Sequence, residues 1–358
     1  MNHTVFITGA AGYIGFALVE KLSARADVGR IIALDKEPAP DEFRTNRKVV
    51  YLESNTNGDW AAEVARYEPD IVMHAAWQIR DIYGNYALQK SWNIDGTDAV
   101  FDFAFSQPSV KRLVHFSTVA SYGAYSDNTI EHRFTEEEAF RPSDYNYAEE
   151  KRLVELSLVE KYAAAKAKGK EIDVAIIRPA AITGPRGRYA RIRFGLQSAL
   201  SGQLKGNPVY RLVALLTSFV PATPKWARQF IHEDDIVDIA ELLAFGENVR
   251  GIEAFNACPP GEAVLAKDMA KAVGKRIIPI PPFLIRIAFF FMWHLTRGRI
   301  PTARGAWKGY SYPIMVDGSK LTRLHGYQYH MAAKDAFVYT DGRYESCVPE
   351  ALIKKRPV

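Results

Sequence analysis

Cysteine is nearly absent from this sequence: only Cys258 and Cys347 occur among 358 residues. That excludes a disulfide framework, and a reducing cytoplasm is the compartment that fits. Charge of one sign is lacking too. Lys plus Arg exceed Asp plus Glu by 46 − 41 = 5, too little to make nucleic acid an expected partner. There is no internal repeat, no low-complexity tract, and no uninterrupted apolar run long enough to span a bilayer. The first apolar run begins at Val5 and already reads as a strand, so no targeting segment is expected ahead of it. What is present is ordinary for a globular chain: 48% hydrophobic and 24% charged residues. The length suits one large α/β domain with an appendage, or two domains.

The first half alternates short β-branched runs with helical patterns. Strands are expected at Val5–Ile7, Arg30–Asp35, Val49–Leu52, Ile71–His74, Arg112–Phe116 and Asp173–Ile177. Helical stretches are expected at Tyr13–Arg25, around Gly96–Phe105, and from Tyr147 to about Lys168. Apolar runs without alternation belong to strands buried on both faces, and interleaved helices make the sheet parallel and doubly wound. After Arg178-Pro179 the rhythm breaks, returning briefly over Phe230–Phe255. The expected architecture is therefore α/β, a Rossmann-type sheet domain over 1–183 plus 229–256. A smaller, irregular, C-terminal substrate domain is expected over 184–228 plus 257–350.

Thr8-Gly9-Ala10-Ala11-Gly12-Tyr13-Ile14-Gly15 lies between the first strand and the first helix. Glycines there permit a tight turn, let a pyrophosphate approach the helix N-terminus, and let helix pack close to strand. Gly9, Ala11, Gly12, Tyr13, Ile14 and Gly15 are the expected cofactor contacts. Asp35 ends the second strand, where an acid can accept hydrogen bonds from an adenosine ribose diol. A ribose 2′-phosphate about 5 Å from that carboxylate would be repelled by roughly 3 kcal/mol at an effective dielectric near 20, which favours NAD. Lys36 next door can soften the repulsion, so NADP is not excluded.

Tyr147 and Lys151 stand four apart on a strongly helical stretch and project from one face. Ser117-Thr118 closes the fifth strand, at the carboxyl edge where doubly wound sheets hold ligands. Hydride transfer at a carbinol carbon needs a group to take or give the hydroxyl proton. Tyrosine, with a pKa near 10, must be lowered by about 3 units, which takes roughly 4 kcal/mol. One ammonium at about 5 Å supplies roughly 3 kcal/mol, and an oxidised nicotinamide adds a second positive charge. Thr118 would then fix the reacting oxygen. The pair alone is weak evidence in a chain with 18 tyrosines; its weight comes from the order of turn, acid, strand-ending Ser-Thr, Tyr and Lys.

That order resembles the extended short-chain dehydrogenase/reductases, the NAD-dependent epimerase/dehydratase family, from Thr4 to about Tyr329. Further matches are His74-Ala75-Ala76, Asn93-x-x-Gly96-Thr97, Ser121-Tyr122-Gly123, Arg178-Pro179 with Gly184-Pro185, Phe230-Ile231-His232 with Asp235, and Asp317-x-Ser319-Lys320. The resemblance implies catalytic roles for Thr118, Tyr147 and Lys151, with Lys151 also holding the nicotinamide ribose. It implies backbone approach of Ala75 and Ala76 to the cofactor, and Pro179 lining the nicotinamide. It gives Asn93 a structural or relay role; His74, at the end of a buried strand, reads as structural. The resemblance also implies a homodimer formed through the helices near 97–107 and 147–168.

The departures narrow the chemistry. Glu53-Ser54-Asn55 replaces the family's adenine-binding Asp, leaving that contact in doubt. Val119-Ala120 replaces the acidic pair of nucleotide 4,6-dehydratases, so that dehydration is rejected. Ala181 stands where many nucleotide-sugar enzymes carry Asn, as in members acting on sterols, flavonoids and other ketones or alcohols. Arg228 sits where sugar-nucleotide members keep a diphosphate-binding arginine, and reads equally as a surface residue. The expected activity is an NAD-dependent oxidoreductase acting on a carbinol or ketone; the alternatives are a nucleotide-sugar epimerase and a non-catalytic NAD-binding scaffold. His232 with Glu233, Asp234 and Asp235 reads in this family as a hydrogen-bonded link between domains, and no metal is assigned; Cys258 has no adjacent base for nucleophilic use.

One segment stands outside the motifs. No acidic residue lies between Asp268 and Asp317, while Lys271, Lys275, Arg276, Arg286, Arg297, Arg299, Arg304 and Lys308 are basic. Within it, Leu284–Leu295 is apolar nearly all round. Three readings are open: a buried helix of the substrate domain, which is the favoured one, a hydrophobic substrate pocket or lid, and shallow membrane contact over 283–299.

Overall fold

The computed structural model describes residues 2–191 and 219–357. The part of the expected substrate domain from 192 to 218 lies outside the described residues. The chain divides into two units: Met1–Thr118, Glu149–Arg178 and Val237–Phe255 form the first; Val119–Ala148, Pro179–Ile236 and Asn256–Val358 form the second.

The sheet is built from β1 (His3–Thr8), β2 (Val28–Asp35), β3 (Val49–Glu53), β4 (Ile71–His74), β5 (Arg112–Phe116), β6 (Asp173–Pro179) and β7 (Ile252–Ala257). Its spatial order is β7-β6-β5-β4-β1-β2-β3. The pairings from β3 through β6 are parallel. Val174 N donates to the Gly251 carbonyl and Ala180 N to that of Ala257, so the seventh strand advances in the same direction. This is the doubly wound α/β sheet that unbroken apolar strands require, because Val5–Ile7, Ile31–Leu34 and Leu113–Val114 are buried on both faces. The packed helices are α1 (Tyr13–Ser23), α2 (Gly96–Ser106), α3 (Asn146–Ala167) and α4 (Glu233–Phe245). Val100, Phe101 and Ala104 of α2 and Val154 and Leu158 of α3 join one core with Phe6, Val72 and Leu113 of the sheet.

Order reverses between β1 and β4: β2 and β3 follow on one side, β5 and β6 on the other. Ligands of such sheets bind at this reversal, beyond the carboxyl ends of the strands.

The second unit is made of short pairings. Ala181–Thr183 runs parallel to Phe230–His232, Ala227–Arg228 antiparallel to Val264–Leu265, and Phe219–Ala222 parallel to Arg276–Pro279. Trp226, Phe230, Val264, Met269 and Phe337 form its core. The Arg188 guanidinium, 1% exposed, donates to the Ala336 carbonyl at 2.7 Å and that of Tyr339 at 2.6 Å, and so holds the chain near 336–339.

The expectation of a buried helix in the apolar basic stretch is corrected here. A helix does form, α5 (Pro282–Leu295), started by a proline in its first turn, but Ile285 is its one buried residue. A helix apolar on every side needs cover on every side. Among the described residues of this unit α5 is covered along one side, where Phe289 meets Tyr310 at 5.7 Å between ring centres.

Candidate active site

The turn after β1 is tight for a reason visible in the backbone. Gly9 has φ +71°, and a Cβ there would lie 2.6 Å from the Cα and N of Ala76. A Cβ on Gly15 would lie 2.0 Å from the Gly9 carbonyl oxygen. Only glycine allows the turn to pack on the Ala75-Ala76 backbone while α1 packs on the turn. Gly12 caps α1 with no side-chain hydrogen bond, and no acid occupies the first helical turn. The start of α1 therefore presents the positive end of the helix to an anion, with no acid in its own first turn.

Asp35, 8% exposed, closes β2 beside this turn. One carboxylate oxygen accepts from Ala11 N at 2.9 Å and the other from Glu37 N at 3.0 Å. Burial raises its pKa, against those two amides, which lower it. Each oxygen keeps a lone pair for a ribose hydroxyl. Lys36 stands over the Trp92 ring at 4.0 Å. The residues present thus fit a dinucleotide: a glycine cradle that a methyl group would fill, an uncapped helix start, and a strand-end acid.

Along α3, Tyr147, Lys151 and Glu155 follow at four-residue steps on one face. Lys151 is 4% exposed; its ammonium donates to the Phe116 carbonyl at the end of β5 and lies 3.6 Å from the centre of the Trp77 ring. Burial lowers its pKa to about 7, with Glu155 and Glu150 opposing. One turn on, Glu155 accepts from the Ser117 hydroxyl at 2.6 Å and from Arg178 Nε at 2.9 Å. The end of β5, the middle of α3 and the end of β6 are thereby tied by one buried carboxylate. Thr118, 5% exposed, follows directly on that fixed Ser117. Tyr147 is half-buried in the first turn of α3, its ring 5.8 Å from that of Tyr145.

A match to the NAD dependent epimerase/dehydratase family model runs over residues 5–258. The chain belongs to that family. This NAD-dependent family supplies the cofactor that the turn and Asp35 predict. Among curated proteins the chain is similar to an uncharacterized protein of Mycobacterium tuberculosis, 26% identical, over 93% of this chain and 82% of that one. It is also similar to the vaccinia virus 3β-hydroxysteroid dehydrogenase/Δ5→4-isomerase, 23% identical over 58% of this chain and 59% of the viral one. Among solved structures it resembles the UDP-glucuronic acid 4-epimerase of Bacillus cereus, bound to UDP-glucuronic acid and NAD, with a TM-score of 0.66 and 17% identity. That likeness covers 93% of this chain and 96% of the other, and shows the fold.

Other residues expected of a member of this family find definite places. Asn93 lies in a π-helical turn, Ser91–Asp95. Its amide joins the Gln78 backbone, at 2.8 and 3.0 Å, to Glu150 of α3, at 2.6 Å. His74 bridges Thr8, at 2.7 Å, and Thr97, at 2.9 Å, and burial first, then Lys151, lowers its pKa to about 3, so it is a neutral strut. Pro179 is buried at the end of β6. The acidic triplet opening α4 serves backbone amides of the second unit: Glu233 accepts from Arg186 N and Gly187 N, Asp234 from Arg343 N, and Asp235 from His330 N. Among the described residues no group of three His, Cys, Asp or Glu side chains is placed to hold a metal. Arg228 is half-buried; its guanidinium donates to the Gly309 carbonyl at 2.7 Å, and desolvation lowers its pKa, with Tyr145 and Tyr310 opposing.

Three residues escaped sequence reasoning: Glu155, Glu150 and Trp77. The signal for Glu155 was its place one turn beyond Lys151 on the same face. Nothing in the sequence marks Trp77 as the ring beneath that ammonium.

Proposed function

We propose that this chain is an NAD-dependent oxidoreductase moving hydride between the cofactor and a carbinol or ketone carbon. Tyr147 holds or releases the proton of the reacting hydroxyl. Lys151 lowers the cost of the phenolate and holds the nicotinamide ribose. Thr118 orients the reacting oxygen. The observation that carries this reading is the Lys151 ammonium: buried, fixed on the Phe116 carbonyl at the carboxyl edge of the sheet, and one helical turn after Tyr147. NAD, when bound, supplies the hydride acceptor or donor. The turn from Gly9 to Gly15 holds its diphosphate, Asp35 its adenosine ribose, and the Ala75-Ala76 backbone and Pro179 its nicotinamide end. Lys36, engaged on Trp92, leaves Asp35 to repel a 2′-phosphate, which favours NAD over NADP. A homodimer formed through α2 and α3 belongs to the same reading.

Two features favour an apolar alcohol or ketone as substrate. Ala181 offers a methyl group where nucleotide-sugar enzymes of the family present an amide, and the vaccinia relative is a hydroxysteroid dehydrogenase. Val119 and Ala120 provide no acid to protonate a leaving hydroxyl, which argues against dehydration. One observation favours the second reading, a nucleotide-sugar epimerase: among the described residues no carboxylate forms an ion pair with Arg228, which leaves its charge for a diphosphate.

Turnover of a panel of lipophilic secondary alcohols and of UDP-hexoses separates the two. Lasting NADH absorbance with an alcohol supports the dehydrogenase, and interconversion of UDP-hexoses without net NADH supports the epimerase. Tyr147→Phe is expected to cut turnover by about 10²–10⁴-fold while NAD binding persists. Turnover unaffected by that change would remove the proton-transfer role, and absence of turnover in the wild type would favour a non-catalytic scaffold.

A further inference from the structure

We propose that α5 is a membrane-docking helix that lies flat on an anionic lipid surface. Its outward residues are Phe283, Leu284, Ile287, Phe290, Phe291 and Leu295, at exposures from 43% for Leu284 to 81% for Leu295. At helical spacing they fill one continuous arc of about 140°. The inward arc holds Ile285, which is buried, and Phe289, which meets Tyr310. The exposed arc continues into the preceding strand, where Ile277 and Ile278 are 39% and 40% exposed. An apolar surface of this extent on a folded chain marks a contact yet to be made.

The surrounding charge identifies the occupant. Arg276 precedes the two isoleucines, Arg286 edges the helix over the Trp307 ring at 5.8 Å, and Arg297, Arg299 and Arg304 follow it. All five are exposed, and among the described residues none forms an ion pair with a carboxylate. No acid occurs from 269 to 316 to answer them. A second copy using the same face would set these arginines against their own counterparts, a like-charge contact that costs free energy. A bilayer with anionic headgroups satisfies both parts: it accepts the aromatic face below the headgroups and meets the basic rim at their level. At 14 residues the helix is too short to cross the hydrocarbon core, so it lies in the interface. Among the described residues no helix is long and apolar enough to span.

The inference is independent of the proposed reaction, because its test reads binding and not turnover. The full chain is sedimented with phosphatidylcholine vesicles, with and without about one third phosphatidylglycerol, at about 0.05 M and about 0.5 M salt. Binding is expected with the anionic vesicles at low salt, about tenfold weaker at high salt, and weaker still without phosphatidylglycerol. A triple variant, Phe283→Ser, Phe290→Ser and Phe291→Ser, is expected to lose binding by about a hundredfold or more, each ring withdrawn from the interface being worth about tenfold in partitioning. Arg297→Gln with Arg299→Gln is expected to weaken the preference for anionic lipid by about tenfold or more, with Arg276, Arg286 and Arg304 retaining the rest. Ile287→Trp adds a signal that needs no loss of function: its fluorescence should shift to the blue and be quenched by brominated acyl chains. Failure of the wild-type chain to bind anionic vesicles, or binding that the serine variant leaves intact, overturns the proposal. So does a wild-type oligomer that the serine variant disperses without any vesicle binding, which would assign the face to a second copy.

Discussion

Burying the Lys151 ammonium to 4% exposure strips most of its hydration. The Phe116 carbonyl, the Trp77 face and the carboxylates of Glu155 and Glu150 return only part of it, so its pKa falls from 10.5 to about 7. Below pH about 7 both folded and unfolded chains hold the proton, and the folded state bears the full cost of the charge. Between about 7 and 10.5 the unfolded chain holds it and the folded one does not, so stability rises with pH across that window. The difference amounts to something of order 5 kcal/mol. Lys151→Met keeps the stem and removes the charge. It is expected to be more stable than the wild type at pH about 6, with an advantage that shrinks towards pH about 10, while turnover is lost at pH about 6, where the wild type carries the ammonium. Urea unfolding of both proteins at the two pH values measures this. An advantage that did not change with pH would mean that the ammonium is hydrated in the folded chain.

The element that positions the cofactor is the turn from β1 into α1, and its demands are steric. A methyl group on Gly15 would meet the Gly9 carbonyl at 2.0 Å, backbone against backbone, so α1 must shift away from the sheet. Gly15→Ala is expected to cost about 1–3 kcal/mol of stability and to weaken NAD binding at least tenfold. Gly309→Ala is the control: among the described residues a Cβ there meets nothing within 4 Å, and alanine favours its helix, so both quantities should stay unchanged or improve slightly. Urea melts and NAD titration of the two variants decide it; equal effects would show that contact at the turn is not what glycine provides. This element was fully legible in the sequence, because turn, strand and helix signals lie within a few residues of one another. The six expected strands and the three expected helices form within about two residues of their expected bounds for the same reason. The Ser117–Glu155–Arg178 tie was not legible, since it joins groups 38 and 23 residues apart through side-chain geometry alone. Nor was the exposure of α5: a helix apolar on all sides carries no periodicity to say which side is covered.

At the scale of the whole molecule, α3 is apolar on two faces. Val154 and Leu158 turn inward to the sheet core, on the side that carries Lys151. Leu153, Leu156 and Val159 face outward at 42–47% exposure. Lys161 pairs with Asp102 at 2.6 Å and Ser157 with Asp98 at 2.9 Å, which sets α2 alongside α3. The outward stripe has no run of basic residues like the one around α5; its neighbours Arg152 and Lys161 are already paired with Glu149 and Asp102. Two copies can therefore bring these stripes together without setting like charges face to face, as a two-fold contact requires. Homodimerisation through α2 and α3 is the expected outcome. Leu153→Arg with Leu156→Arg should leave a single folded copy in sedimentation equilibrium where the wild type shows two, because each arginine would meet its own counterpart across the axis. The serine variant of α5 should keep the dimer intact, since that face is assigned to lipid. A wild type that sediments as one copy at micromolar concentration, or a dimer that survives both arginines, would place the contact elsewhere.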